Sequence, residues 1–178
     1  MTKNTTVGYL GPAGTFTEAA ILTQPDLAAA EHVLCRSHSD VLFRTQEGEI
    51  DFGFCAIENA IEGTVNIIQD TLAFDTDLLI QREVVIPIIM NLLVRPGTEL
   101  SDVKQVISYP HALAQVRGFL RSHLPHAETE AANSTADAAR LLAERGDAHT
   151  AAVGTELAAT TYGLDIAAAD IEDHPDNK

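Results

Sequence analysis

Short apolar runs alternate with amphipathic stretches along almost the whole chain. Val7-Gly8-Tyr9-Leu10 predicts a strand, and Thr15 to Leu22 a helix behind it. His32 to Arg36 reads as the next strand, with a helix from about Ser39 to Gln46. Phe52 to Ile57 reads as a third strand, followed by a helix from about Thr64 to Phe74. Short connections between runs that are apolar on both faces predict a mostly parallel sheet covered by helices. Leu78 to Val94 breaks the rhythm. Leu79 to Ile86 is too long and too β-branched for another short strand, and Pro87 cannot donate to a ladder. This stretch is expected to cross from one lobe to a second, closed by a turn at Arg95-Pro96-Gly97.

Beyond that turn the pattern resumes. Gln105 to Ser108 predicts a strand, Ala112 to His123 a helix, and Ala127 to Ala131 a strand. A helix is expected from Ser134 to about Arg145, then a strand over Thr150 to Val153. A short helix over Glu156 to Tyr162 and an extended segment, Ile166 to Ile171, complete it. The expected fold is α/β and two-lobed, with mostly parallel sheets and flanking helices. Lobe one covers about 1–83 plus 171–178, lobe two about 84–170, and a ligand cleft is expected between them.

Composition narrows the function. Twenty-six acidic against eleven basic residues give a formal charge of −15. That argues against nucleic acid as a partner, because its affinity comes largely from Lys and Arg neutralising phosphates. It also argues against an anionic membrane surface. Aromatic residues are few, so the core must come from Ala, Val, Ile and Leu. An anionic ligand would be repelled by the net charge, so local donors would have to hold it. Cys35 and Cys55 lie in apolar runs without CxxC spacing and read as buried reduced thiols. The opening residues do not resemble a signal peptide, and no apolar stretch is long enough to span a bilayer. A cytoplasmic location is expected.

Four constellations carry candidate chemistry. Gly11-Pro12-Ala13-Gly14-Thr15-Phe16-Thr17-Glu18 links a strand to a helix; Thr15 is a good cap, and helix-start N–H groups suit a carboxylate or phosphate. The lysine and glycine pattern of a P-loop is absent, as is GxGxxG. Glu58-Asn59-Ala60-Ile61-Glu62-Gly63-Thr64 follows the third strand; Asn59 offers an amide donor, and Glu58 either a buried acid or a structural partner. Ser108-Tyr109-Pro110-His111-Ala112-Leu113-Ala114-Gln115 places a hydroxyl where a strand meets a helix, with Gln115 about one turn in. A capping serine and a solvated glutamine remain the plain alternative. Asn133-Ser134-Thr135-Ala136-Asp137 is close to a capping box. The acidic residues Asp170 to Asp176 read as a solvated tail. The seven histidines show no metal-ligand spacing, so no metal is expected. Together these sites place hydroxyls, amides and helix starts where strands end, which suits a small anion.

These motifs, in this order, resemble prephenate dehydratases. The resemblance runs from GPAGTFTE through IENAIEG, SYPHALAQ and NSTADAA to IEDHPDNK, which is essentially the whole chain. It implies a periplasmic-binding-protein-like fold, conversion of prephenate to phenylpyruvate in phenylalanine synthesis, no cofactor, and usually a homodimer. It further implies that Asn59, Ser108 and Gln115 act in binding and turnover. Gly11, Pro12, Gly14, Thr15, Phe16, Gly63, Ser134 and Thr135 match segments lining the substrate site, with Glu58 in a supporting role.

Two departures stand out. Ala60 replaces the Ser or Thr common in the family after the Glu-Asn pair. The family pattern also continues into Thr-Arg-Phe and often into a phenylalanine-sensing ACT domain, whereas these 178 residues stop at Lys178. Its threonine is the leading candidate for assisting hydroxyl departure, so the 178 residues alone are expected to have low activity. The rival readings are an arogenate dehydratase, a non-aromatising prephenate decarboxylase, and a non-catalytic small-anion binding protein.

Overall fold

The computed structural model of the protein describes residues 5–174, Asp176 and Asn177. The outer ends of the expected lobe one, residues 1–4, Pro175 and Lys178, lie outside the described residues. The backbone forms two compact units. One takes the chain up to Pro12 with Phe16–Ile86, and the other takes Ala13–Thr15 with Pro87–Asn177.

The first unit is built on β1 (Thr6–Leu10), the central strand between β2 (Glu31–Cys35) and β3 (Phe52–Gly53). All three run parallel, with Val7 opposite both His32 and Phe52. Helices α1 (Phe16–Leu22) and α2 (Pro25–Ala28) connect β1 to β2, and α3 (His38–Gln46) connects β2 to β3. Val7, Tyr9 and Ile21 form one buried cluster; Cys35, Val41 and Ile50 form another. Helix α3 starts earlier than its periodicity predicts because Ser37 caps it, its hydroxyl accepting from Asp40 N at 3.0 Å.

The third strand is shorter than predicted. Only Phe52 and Gly53 join the ladder, with Phe54 N adding one bond to Gly8 O. The chain then turns into a hairpin of β4 (Glu58–Asn59) and β5 (Gly63–Thr64) that the apolar pattern did not predict. Gly63 adopts φ +81°, which closes its turn. Helix α4 (Asn66–Asp70) follows and widens into a π turn over Thr71–Asp75. Leu78 onward is extended with no ladder until Asn91. Arg82 within it pairs bidentately with Asp26 at 2.8 and 2.9 Å.

The second unit holds a five-stranded sheet in the order β10-β6-β9-β7-β8. Its parallel part is β7 (Gln105–Ser108), β8 (Glu128–Ala131) and β9 (Thr150–Gly154). Strand β6 (Asn91–Val94) pairs antiparallel with β9, and β10 (Asp165–Ala168) antiparallel with β6. Helices α5 (Pro110–Gln115), α6 (Arg117–His123), α7 (Thr135–Arg145) and α8 (Glu156–Tyr162) accompany them. Leu93, Ile107, Leu142 and Leu164 pack with Ala138, Ala139, Ala152, Ala158 and Ala159 in one core, in keeping with the aliphatic composition.

Two predictions for this unit need correction. The helix expected from Ala112 to His123 begins at Pro110, since proline at the first helical position costs no hydrogen bond. It then breaks at Val116 (φ −115°, ψ 15°), where Gly118 N donates to the Asp173 carboxylate at 3.0 and 3.1 Å. The acidic segment expected to be a solvated tail is instead tied down. Ile171 is buried and its N–H donates to Met90 O; Glu172 accepts from Met90 N at 2.9 Å.

His38, whose Nδ1 is buried without a hydrogen-bond partner, supplies a test of the first unit. Burial holds its imidazole below the ordinary value of 6.5. The unfolded chain therefore binds the proton more readily, and protonation favours unfolding. Stability is expected to be full above about pH 6.5 and to fall as the pH drops through and below that value. Denaturant midpoints measured at about pH 7.5 and 5.5 should differ less in His38→Gln than in the parent protein.

Candidate active site

The parallel strands β7, β8 and β9 end side by side, with Ser108 opposite Ala131 in the register. In α/β sheets the carboxyl ends of parallel strands are where ligands gather. Ser108, the last residue of β7, is fully buried, and its hydroxyl donates to Val153 O on β9 at 2.8 Å. It does not cap α5; that position belongs to Tyr109, which makes no side-chain cap. The oxygen of Ser108 is thereby oriented by its neighbour strand, with lone pairs remaining to accept.

Gln115 closes α5 and is only 7% exposed, so it is not a solvated glutamine. Its Oε1 accepts from Asn177 Nδ2 at 2.9 Å, and its main-chain O accepts from Asp173 N at 2.6 Å. Neither partner was singled out from the sequence for this role. The contact joins residues far apart in the chain, and no local periodicity encodes it.

After β8, Ser134 caps α7 as predicted, its hydroxyl accepting from Asp137 N at 2.9 Å. Asp137 in turn accepts from Asn133 Nδ2 at 3.1 Å and pairs with Arg140 at 2.6 Å. Burial alone would push the Asp137 carboxyl up, but the Arg140 guanidinium and the Asn133 donors outweigh it and hold the group below its ordinary range. Thr135 is the first residue of this helix. After β9, Thr155 caps α8, its Oγ1 accepting from Ala158 N at 2.8 Å. The same hydroxyl donates to Gly14 O at 2.7 Å, and Tyr162 donates from its phenol to Ala13 O at 2.9 Å. Ala13 and Gly14 are thus held on α8. Gly14 has φ +88°, and a Cβ there would stand 2.9 Å from Ala158 Cα. Thr155 and Tyr162 were missed, although Gly154-Thr155-Glu156 has the strand-then-cap form of the other motifs.

In the first unit, Asn59 sits on β4 with its Oδ1 accepting from Ile61 N at 3.0 Å and Glu62 N at 3.1 Å. Two N–H donors on one end fix the amide, so Nδ2 is its outer end. Gly63 lies opposite Asn59 in the hairpin. Glu58 is exposed, which removes the buried-acid option for it. Gly11 N extends the β1–β2 pairing by donating to Cys35 O at 3.1 Å; the Gly11-Pro12 bond is cis, and Phe16 opens α1.

Cys35 is buried and Cys55 half-buried, and both thiols are free. Burial, with Cys35 nearby, pushes Cys55 up to about 12, so it is no nucleophile at neutral pH. Among the described residues, no group of three or more His, Cys, Asp or Glu side chains is placed to hold a metal ion. No helix of the described residues is long and apolar enough to cross a membrane.

The sequence model of the prephenate dehydratase family matches residues 7–178. The chain belongs to that family. Prephenate dehydratase from Bacillus subtilis is 39% identical over 173 residues, covering 96% of this chain and 60% of that protein. The enzyme of the same name from Mycolicibacterium vanbaalenii is 43% identical, covering 95% and 58%. A crystal structure of prephenate dehydratase from Arthrobacter aurescens, in complex with L-Phe, superposes with a TM-score of 0.89 at 41% identity, covering 96% of this chain and 57% of that one. The α/β, periplasmic-binding-protein-like fold is therefore the family's own. The chain spans somewhat under two thirds of the length of these relatives.

The docking of Gly14 on α8 is testable without substrate. Gly14→Ala adds both a strained φ and an overlap with Ala158, and should destabilise the protein by about 1–3 kcal/mol. Thr155→Ala, which removes the cap, should cost about 1 kcal/mol. Denaturant titration of both variants measures these directly.

Proposed function

We propose that the full-length protein is a carbon–oxygen lyase that converts prephenate to phenylpyruvate in phenylalanine synthesis. The observation that carries the reading is the burial of Ser108, at the end of β7, and of Gln115, at the end of α5, as hydroxyl and amide rather than charged groups. The family membership supports the same chemistry.

Prephenate carries two carboxylates and a ring hydroxyl. As the ring carboxylate leaves as CO2, the electrons of the broken C–C bond flow into the ring. The hydroxyl departs with a proton as water, and the product is aromatic. The protein must hold a dianion, orient it and assist the leaving oxygen. In this reading Asn59 donates from Nδ2 to a substrate oxygen. Ser108 and Gln115 hydrogen-bond the reacting portion, and Gly11, Pro12, Gly14, Thr15, Phe16, Gly63, Ser134 and Thr135 line the substrate. Glu58 supports the hairpin. The cytoplasmic location expected from the sequence and the homodimeric state implied by the resemblance belong to the same proposal.

Product analysis by mass and ultraviolet absorbance tests it. Phenylpyruvate from prephenate is the expected product. Phenylalanine formed only from arogenate, a non-aromatic decarboxylated product, or binding without turnover would each overturn it. Ser108→Ala, Gln115→Leu and Asn59→Ala should each lower kcat/KM by about 10²–10³, the usual cost of losing one aligned donor.

A further inference from the structure

Asn177 lies at the end of the described chain, yet it is only 2% exposed and is held from both sides. Its main-chain O accepts from Ile88 N at 2.9 Å, and its Nδ2 donates to Gln115 Oε1 at 2.9 Å. The preceding residues fasten the same helix end. Asp173 N donates to Gln115 O, and the Asp173 carboxylate accepts from Gly118 N just past the α5 break. A Cβ at position 118 would lie 2.5 Å from Asp173 Oδ1, so a side chain there would displace the carboxylate from this approach.

A primary amide has one donor end and one acceptor end. The pair Asn177–Gln115 can form a single hydrogen bond in two ways. With Asn177 donating, Gln115 keeps Nε2, a donor, for its other partners. With both amides reversed, Gln115 would offer Oε1, an acceptor. The structure holds the first arrangement, which leaves Asn177 Oδ1 buried without a partner. The reverse would bury an unpartnered N–H instead, and an orphaned carbonyl is the better tolerated of the two.

We propose that Asn177 is a positioning residue that sets the polarity of the Gln115 amide, so that a donor faces an anionic substrate. This rests on the prephenate reading for its catalytic consequence, though not for the amide pairing itself.

The test uses Asn177→Asp and Asn177→Ala in the full-length protein. A carboxylate at 177 only accepts, so it draws Gln115 Nε2 toward itself and turns Oε1 outward. For Asn177→Asp, kcat/KM is expected to fall by about 10² or more. It should recover as the pH is lowered and the buried carboxyl takes up a proton and donates again. Asn177→Ala should be the milder variant, with a pH profile parallel to the parent. Asp173, His174, Asp176 and Arg117 are present in all three proteins, so the parent profile controls for them. A purely structural role predicts losses that follow stability, with kcat/KM of both variants returning to the parent value wherever they remain folded; that result overturns the proposal.

A substrate-free readout separates this failure from failure of the proposed function. The Gln115 side-chain amide resonances, assigned by the loss of signal in Gln115→Leu, should shift in both Asn177→Asp and Asn177→Ala, because the carbonyl that polarises them loses its donor. Unchanged resonances overturn the pairing whatever the turnover. A parent protein that does not turn over prephenate overturns only the function. If Asn177→Asp does not fold, the Asn177→Ala spectrum decides alone.

Discussion

Small residues at the strand ends let backbone come close to backbone in the second unit. Gly14 reaches the head of α8 because neither it nor Ala158 presents a bulky side chain, and β9 is buried along all five residues. Helices resting on alanine lie near the sheet, so their starts stay level with the ends of β7, β8 and β9. Thr155 then serves two backbones at once, accepting from Ala158 N and donating to Gly14 O. A bulkier residue at 14 or 158 would lift the loop, and with it the Gly14-Thr15 backbone. The aliphatic, alanine-rich core and the placement of polar groups are in this sense one constraint.

The charge distribution follows a related logic. Much of the basic charge is engaged locally: Arg82 with Asp26, Arg145 with Glu130, and Arg140 with both Asp137 and Glu144. Such pairs, mostly half-exposed, contribute little each to stability. They do commit these three guanidiniums to carboxylates of the chain itself, in a chain of charge −15. The observed choice of amide and hydroxyl at Gln115, Ser108 and Asn59 fits that restriction.

Much of the local structure was legible in the sequence, for identifiable reasons. Strand β7 and the Ser134 cap of α7 match their predicted limits because periodicity and capping act over a few residues. The larger misses involve partners distant in sequence or turns governed by side-chain acceptors. The β4–β5 hairpin depends on Asn59 accepting two backbone N–H groups, which apolar patterning does not register. The break between α5 and α6 depends on Asp173, 55 residues from Gly118. The same contact explains why an acidic run that looks solvated is folded in. The motif segments after β1, β7 and β8 do place polar groups at strand ends, whereas Asn59 sits in the β4–β5 hairpin and not at the end of β3. The partners Asn177, Thr155 and Tyr162 were not legible.

Orientation is the step that converts such a set of neutral groups into chemistry. An amide or hydroxyl buried without a fixed partner rotates to suit whatever approaches, and each reorientation raises the barrier it might otherwise lower. Here the oxygen of Asn59 is fixed by two N–H groups, the proton of Ser108 by Val153 O, and the oxygen of Gln115 by Asn177. Each bond commits one end of a group and leaves the other end defined. Charged residues could bind a dianion more strongly, but burying them costs several kcal/mol of hydration per ion unless they are paired, and pairing would cancel the attraction. Neutral groups with fixed polarity avoid that cost.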